Sequence, residues 1–333
     1  MLTDWRLAMA GAIFCTGVLF TCIETNAQSI RKDIAARVEI YAIPSLTISD
    51  QQFLTGDSNG KPVTVAGEFR IAQGAGRLPV VVLMHGSGGV GVNIEPWVHT
   101  FNTMGISTFV IDGFSGRGLT STSTNQAQLG RLNFILDIYR ALDILAKHPR
   151  VDPDRIVLMG FSRGGQAALY ASLARFHKLW NKSGAQFAAY IPFYPDCATT
   201  YQNDTEVVPS PIRIFHGASD DYNPVASCKA FVERLKAAGR DVELTEYADS
   251  PHGFDSGLTG FDTTLVSANA QTVRHCHIKE GDGSVLMNAD TAVPFTYKDP
   301  CVELSPHVGG NPATAEEARK AVVDFLQGLL KLG

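Results

Sequence analysis

The stretch Arg155-Ile156-Val157-Leu158-Met159-Gly160-Phe161-Ser162-Arg163-Gly164-Gly165-Gln166-Ala167-Ala168-Leu169 decides the reading of this chain. Its first half, Arg155 to Met159, is apolar and β-prone, which predicts a strand. Gly160-Phe161-Ser162-Arg163-Gly164-Gly165 follows, and an Ala-rich helix is predicted over Gln166 to Arg175. A serine between closely spaced glycines at a strand-to-helix turn can stand on a sharp, strained elbow, with its hydroxyl projecting above a sheet. Gly160 and Gly164 leave room for strand and helix to pass on either side of it.

Outward from this elbow, strands and helices alternate. Val63 to Ile71, Leu78 to Met84 and Ile106 to Ile111 are expected strands, the second a nearly continuous apolar run, as in a strand buried on both faces. Leu132, Ile135, Leu136, Ile138, Leu142 and Leu145 repeat at helical spacing and predict a helix over Leu132 to Ala146. Phe187 to Phe193, Ile212 to Phe215 and Val242 to Tyr247 are further strands, and Val225 to Ala238 a helix. Thr314 to Leu330 closes the chain as a helix, with Thr314 and Glu317 as a candidate capping box. This alternation implies an α/β fold: a mostly parallel sheet flanked by helices on both faces. From about 256 to 312 the rhythm is lost in a polar, Gly- and Asn-rich stretch, read as an insertion before the last helix.

The N-terminus differs from the rest. Arg6 precedes an apolar run, Leu7 to Ile23, and Thr25-Asn26-Ala27 supplies small residues before Gln28. Charged head, apolar middle and small-residue exit describe a secretory signal peptide over 1–27, leaving 28–333 as a single domain. The alternative is a retained anchor, although the run is short for a span of ~20 residues. No other apolar stretch is long enough to cross a bilayer, so no stable membrane insertion is expected after cleavage. The net charge of −5 offers no basic footprint for nucleic acid. With Cys15 and Cys22 in the leader, Cys197, Cys228, Cys276 and Cys301 remain, and export to a periplasmic or extracellular space favours disulfides. Of the three possible pairings, Cys197–Cys228 and Cys276–Cys301 are expected. The first pair joins a strand end to the helix after the Asp220 loop; the second lies wholly within the insertion. His275-Cys276-His277 with Cys301 could be imagined as a metal site, but pairing is the stronger reading, and no metal or cofactor is expected.

A serine elbow needs an acid and a base, in the chain order Ser, Asp or Glu, His. Ile212 to Gly217 ends a strand and delivers Ser219-Asp220-Asp221; Asp220 is preferred to Asp221 as the acid. His252, in Ser250-Pro251-His252-Gly253-Phe254, follows one further strand and is the expected base. His85 and His216 end strands and read as structural; His99, His148 and His177 are expected at the surface. An oxyanion requires two backbone N–H donors. Arg163, after the serine, would supply one, and Ser87, in His85-Gly86-Ser87-Gly88-Gly89, the other, with Gly88 as the alternative. Arg117 could meet a substrate carboxylate, but a structural role is preferred.

In their order, His85 to Gly89, Asp112 to Gly118, Gly160 to Gly165, Gly217 to Asp220 and His252-Gly253-Phe254-Asp255 resemble the blocks of the dienelactone hydrolase family of α/β-hydrolases. The resemblance covers about 62 to 260 and the final helix. It implies hydrolysis of small esters or lactones without an organic cofactor. Ser162 stands where the founding enzymes resemble it with cysteine, which favours general ester substrates over dienelactones. The expected partner is therefore a small-molecule ester. A peptidase of related fold and a non-catalytic binding protein on this scaffold are the alternatives.

Overall fold

A computed structural model of the protein describes residues 34–257 and 264–332. The proposed leader, 1–27, lies outside the described residues. At the centre is an eight-stranded sheet. Its strands are β1 (Arg37–Thr47), β2 (Lys61–Ile71), β3 (Leu78–Met84), β4 (Ser107–Asp112), β5 (Val151–Phe161), β6 (Ala189–Phe193), β8 (Ile212–Gly217) and β9 (Val242–Tyr247). They lie in the order β1-β2-β4-β3-β5-β6-β8-β9. β1 and β2 run antiparallel, as do β2 and β4, and every later pairing is parallel. The mostly parallel, helix-flanked sheet expected from the alternation is therefore present. β1 escaped the sequence reading because it is an edge strand with few inward residues; Val38 and Ile40 are exposed.

Period-two alternation along β3 builds two cores. Val80, Val82 and Met84 point to one face, beneath α3 (Asn133–Ala146) and α4 (Arg163–Tyr170); Val81 and Leu83 point to the other, beneath α2 (Ile94–Thr103) and α7 (Pro312–Leu330). Burial on both faces is why β3 reads as a continuous apolar run.

Three expectations change at the level of single elements. The helix expected over Gln166 to Arg175 is two helices, α4 and α5 (Ala174–Trp180). The break at Ser172-Leu173 is filled by the 206–208 segment: Ala174 N–H donates to Glu206 O (2.8 Å), and Val208 N–H to Ser172 O (2.9 Å). The last helix begins earlier than expected, and Thr314 is not its cap. Asn311 accepts from Thr314 N–H (3.1 Å), and Pro312 enters the first turn, where its missing N–H costs nothing. The Thr314 hydroxyl instead meets that of Ser250 at 2.8 Å. The insertion is also more ordered than its composition suggests. Ile278–Glu280 pairs with Leu286–Asn288 and with the two-residue strand β7 (Thr199–Thr200) of the main chain. Thr264–Val266 pairs with His307–Gly309, and Gln271–Thr272 with Glu303–Leu304.

Candidate active site

Ser162 sits between β5 and α4 at φ 54°, ψ −116°, a conformation rare for any residue with a side chain. Its N–H donates to Phe193 O on β6 (3.0 Å), and its carbonyl accepts from Gln166 N–H (2.7 Å), so both neighbours hold the turn in place. The glycines are required by close approach. A Cβ on Gly160 would fall 2.1 Å from Gly164 O, and one on Gly164 would fall 2.2 Å from Met84 O. The Ser162 hydroxyl therefore stands above the carboxyl ends of β3 and β5, where ligands bind in open α/β sheets.

Two loops converge on it. The loop after β9 carries His252, whose Nε2 lies 2.9 Å from Ser162 Oγ. The loop after β8 carries Asp220, whose Oδ2 lies 2.8 Å from His252 Nδ1. Both residues are buried. The other oxygen, Oδ1, accepts from the N–H groups of Tyr222 (2.9 Å) and Asn223 (2.8 Å), which aims the carboxylate. Burial pushes the Asp220 carboxyl up, but the charge of His252 and hydrogen bonds from His216 and His252 outweigh it. They hold the carboxyl well below the usual carboxylate range.

The dienelactone hydrolase pattern matches residues 66–275, about two thirds of the chain. The chain belongs to the dienelactone hydrolase family. Among solved structures, a dienelactone hydrolase-like promiscuous phosphotriesterase from metagenomic libraries superposes with a TM-score of 0.55 at 15% identity, covering 88% of this chain and 98% of that one. Esterase 2 of Thermogutta terrifontis gives 0.49 at 20% identity, over 65% and 85%. Acyl-protein thioesterase 1 of Gibberella zeae is 32% identical over 100 residues; the match spans 42% of its length and 30% of this chain.

The family's remaining blocks take up distinct places. Arg163 opens α4, so its backbone N–H is among those that the helix leaves without an internal acceptor. Ser87 lines the cleft beside Ser162, and its carbonyl is pinned by Thr122 N–H (2.8 Å) and the Ser121 hydroxyl (2.9 Å). A Cβ on the preceding Gly86 would lie 3.2 Å from both Phe161 O and Ser162 Cβ, so the His85-Gly86-Ser87 segment passes close to Ser162. The arginine side chain of Arg163 turns away to the 126–130 loop, donating to Gln126 Oε1 (2.6 Å) and to the carbonyls of Leu129 and Gly130.

Other candidates fall into structural roles. Arg117 forms a buried ion pair with Asp137 (2.7 Å) and lies outside the cleft. His85 is saturated by main chain, Nδ1 near Gly86 O (2.7 Å) and Nε2 accepting from Gly113 N–H (3.1 Å). His216 is buried and flanks Asp220 at 3.3 Å, a contact not anticipated from its place at a strand end. His99 is exposed as expected. His148 is half-buried, with its ring packed edge-on against Phe69 at 5.0 Å. His177 is half-buried against Tyr139.

Asp221 points away from His252. It accepts from Arg274 Nη1 (2.9 Å) and from His307 N–H (2.8 Å), with its Oδ2 2.8 Å from His307 Nδ1. It thereby ties the insertion to the Asp220 loop. Cys197 pairs with Cys228 and Cys276 with Cys301, as expected from position. Among the described residues no cluster of His, Cys, Asp and Glu could hold a metal ion.

Asp255 was not singled out beyond its place in the His252 block. It is buried, accepting from Trp97 Nε1 (2.7 Å) and from the Tyr194 hydroxyl (2.6 Å). Burial raises its carboxyl despite those two donors. The Tyr194 ring in turn packs 4.8 Å from the His252 ring. Sequence offers only the acidic residue three positions after the histidine as a signal for this support.

Proposed function

We propose that the protein is a serine hydrolase that cleaves carboxylic esters of small molecules through an acyl-enzyme. One observation carries the reading: Ser162 Oγ, His252 Nε2, His252 Nδ1 and Asp220 Oδ2 are linked in series at 2.9 and 2.8 Å. His252 takes the hydroxyl proton as Ser162 attacks the carbonyl carbon. Asp220 holds the imidazole with Nδ1 protonated and Nε2 free, and stabilises the imidazolium that forms. The N–H groups of Ser87 and Arg163 receive the negative charge on the carbonyl oxygen. The imidazolium then protonates the departing alkoxide. Water, deprotonated by His252, attacks the acyl-serine, and the acid leaves.

Membership of the dienelactone hydrolase family supports the same reaction class. A thioester is a second acyl donor for the same machinery, and the relative named as a thioesterase makes it worth including in a substrate panel. The deciding experiment compares wild type and Ser162→Ala on p-nitrophenyl esters, a thioester and a fluorophosphonate probe. Wild type should turn over esters and take the label. The variant should lose at least about 10⁴-fold in rate and take none. Retention of a few per cent of the rate would refute Ser162 as nucleophile. The two disulfides support an exported enzyme. Mass analysis of exported protein should then find a start near Gln28; an intact apolar N-terminus would indicate an anchor.

A further inference from the structure

The cleft at Ser162 is narrow, lined mostly by polar residues and open to solvent on one side. It offers about 30 Å³, room for little more than a water, and Val273 is its one aliphatic wall residue. An extended apolar arm of an ester finds little apolar wall there. Two larger spaces adjoin it. One, of about 350 Å³, lies behind Tyr222, Asn223 and Val273. That wall is part of the catalytic scaffold: Asn223 N–H holds Asp220, and Asn223 Nδ2 donates to Tyr194 O (3.0 Å). Opening it would dismantle the acid's loop.

The second space differs in both lining and wall. It measures about 310 Å³, at the low end of small-molecule sites. Leu129, Val285, Leu286, Pro294 and Phe295 make it predominantly apolar. Arg131 and Tyr297 line both this chamber and the cleft, so they form the partition between them. The two are not equally fixed. Arg131 is buried, ion-paired with Asp196 and bonded to Thr199 Oγ1 (3.2 Å). Tyr297 is half-buried on the insertion, and its hydroxyl is held by a hydrogen bond from Arg131 Nη1 (2.8 Å). Rotating Tyr297 breaks that one neutral-acceptor bond and leaves the Arg131–Asp196 pair intact.

Resting on the esterase reading above, we propose that the chamber behind Tyr297 takes an apolar alkyl or aryl arm of the ester, and that the Tyr297 side chain is the gate between chamber and cleft. The insertion then sets chain-length preference. Each methylene buried in the chamber should favour the longer ester roughly fourfold, offset in the wild type by displacement of Tyr297.

The test measures kcat/KM for p-nitrophenyl acetate and octanoate, which vary the acyl arm, and for ethyl and octyl acetate, which vary the alcohol arm. Tyr297→Ala should raise the long-to-short ratio at least about tenfold in one series; which series responds assigns the arm. Adding Val285→Trp, which fills the space from another of its lining residues, should cancel the gain. Should Tyr297→Ala fail to fold, Val285→Trp alone must lower the same ratio in an otherwise wild-type chain. Ratios unchanged within about twofold in both series, with esters still turned over, overturn the gate. Absence of turnover of every ester by wild type refutes the esterase reading, and this one with it.

Discussion

Asp220→Asn separates the proposed acid from its neighbour Asp221 and from a merely structural role. The carboxylate accepts on both oxygens: Oδ1 from two backbone N–H groups and Oδ2 from His252, with His216 beside it. The backbone donors require an oxygen at Oδ1, so asparagine must place its NH₂ at the Oδ2 position. That group can only donate. His252 would have to offer Nδ1 as an acceptor and carry its proton on Nε2, where it faces Ser162 and cannot act as base. Rate should fall about 10⁴-fold, some 5.4 kcal/mol in barrier, with the fold retained. Asp221→Asn loosens contacts to Arg274 and His307 that lie away from the base, and should change kcat/KM by no more than about threefold. Steady-state kcat/KM on one p-nitrophenyl ester, with circular dichroism to establish folding, decides between them. If Asp221→Asn is the crippling change and Asp220→Asn keeps more than about 1% of the rate, the assignment of the acid is wrong. A second signature follows from linkage. The folded-state pKa of Asp220 lies below its ordinary 3.8, so its ionised form stabilises the fold above that value, and the contribution is lost as pH falls through the lower folded value. The stability advantage of wild type over Asp220→Asn that comes from the ionised carboxylate should therefore shrink as pH falls below about 4. A gap that does not change between about pH 5 and about pH 2 would refute the electrostatic account.

Gly164→Ala should cost about 3 kcal/mol or prevent folding, because its Cβ meets the carbonyls of Met84 and His85 at 2.2 and 2.4 Å, and neither is a side chain that can yield; a melting curve within two degrees of wild type would contradict this. Asp255→Ala should lose about 2–4 kcal/mol by leaving Trp97 Nε1 and the Tyr194 hydroxyl unpaired, whereas Asp255→Asn, which can accept from one and donate to the other, should stay near wild type, as denaturant midpoints can show. Since the Asp255 carboxyl is raised in the fold, its ionisation opposes folding, and Asp255→Asn should gain on wild type as pH climbs above 3.8. Removing either disulfide should cost about 3.5 kcal/mol on the chain-entropy model, given separations of 31 and 25 residues, and loss of Cys276–Cys301 should also lower activity, since it frees the insertion that forms the Tyr297 wall; equal activity with and without reductant would argue against that coupling.

What was legible in the sequence follows from how local the determining physics is. The elbow could be read because the steric demand that makes Gly160 and Gly164 necessary acts within a few residues of Ser162. The buried strand β3 could be bounded from its apolar run and flanking turns. His252 and Asp220 could be ordered because parallel strands deliver their loops to one edge in chain sequence. The break between α4 and α5 could not be read, since it is made by the carbonyl and amide groups of 206–208, more than thirty residues away. Nor could the place of Thr314, whose hydroxyl is claimed by Ser250 in the loop that also carries His252. Asp255 is the instructive miss. It is a buried polar residue that accepts from Trp97 and Tyr194, and no local pattern distinguishes such a residue from ordinary packing.

The same distinction explains why the insertion matters to chemistry despite its weak sequence signal. Its own strands are two or three residues long and bury little apolar surface, so they cannot hold their shape unaided. They are held from outside at separate points: by Asp221 through Arg274 and His307, by β7 through Ile278, and by Thr272 Oγ1 donating to Tyr222 O (2.7 Å). The Tyr222 ring stands 4.7 Å from His252. Two of those anchors thus reside on the loop that carries Asp220. A change that loosens the insertion must act on His252 and Asp220 through that loop, whereas a change confined to Tyr297 acts on the cleft wall alone. Variants of Asp221 should accordingly alter turnover of short and long esters alike, and variants of Tyr297 their ratio; a shift of the ratio by Asp221→Asn as large as that by Tyr297→Ala would mean that the insertion moves as one body and that the gate is the whole insertion rather than one side chain.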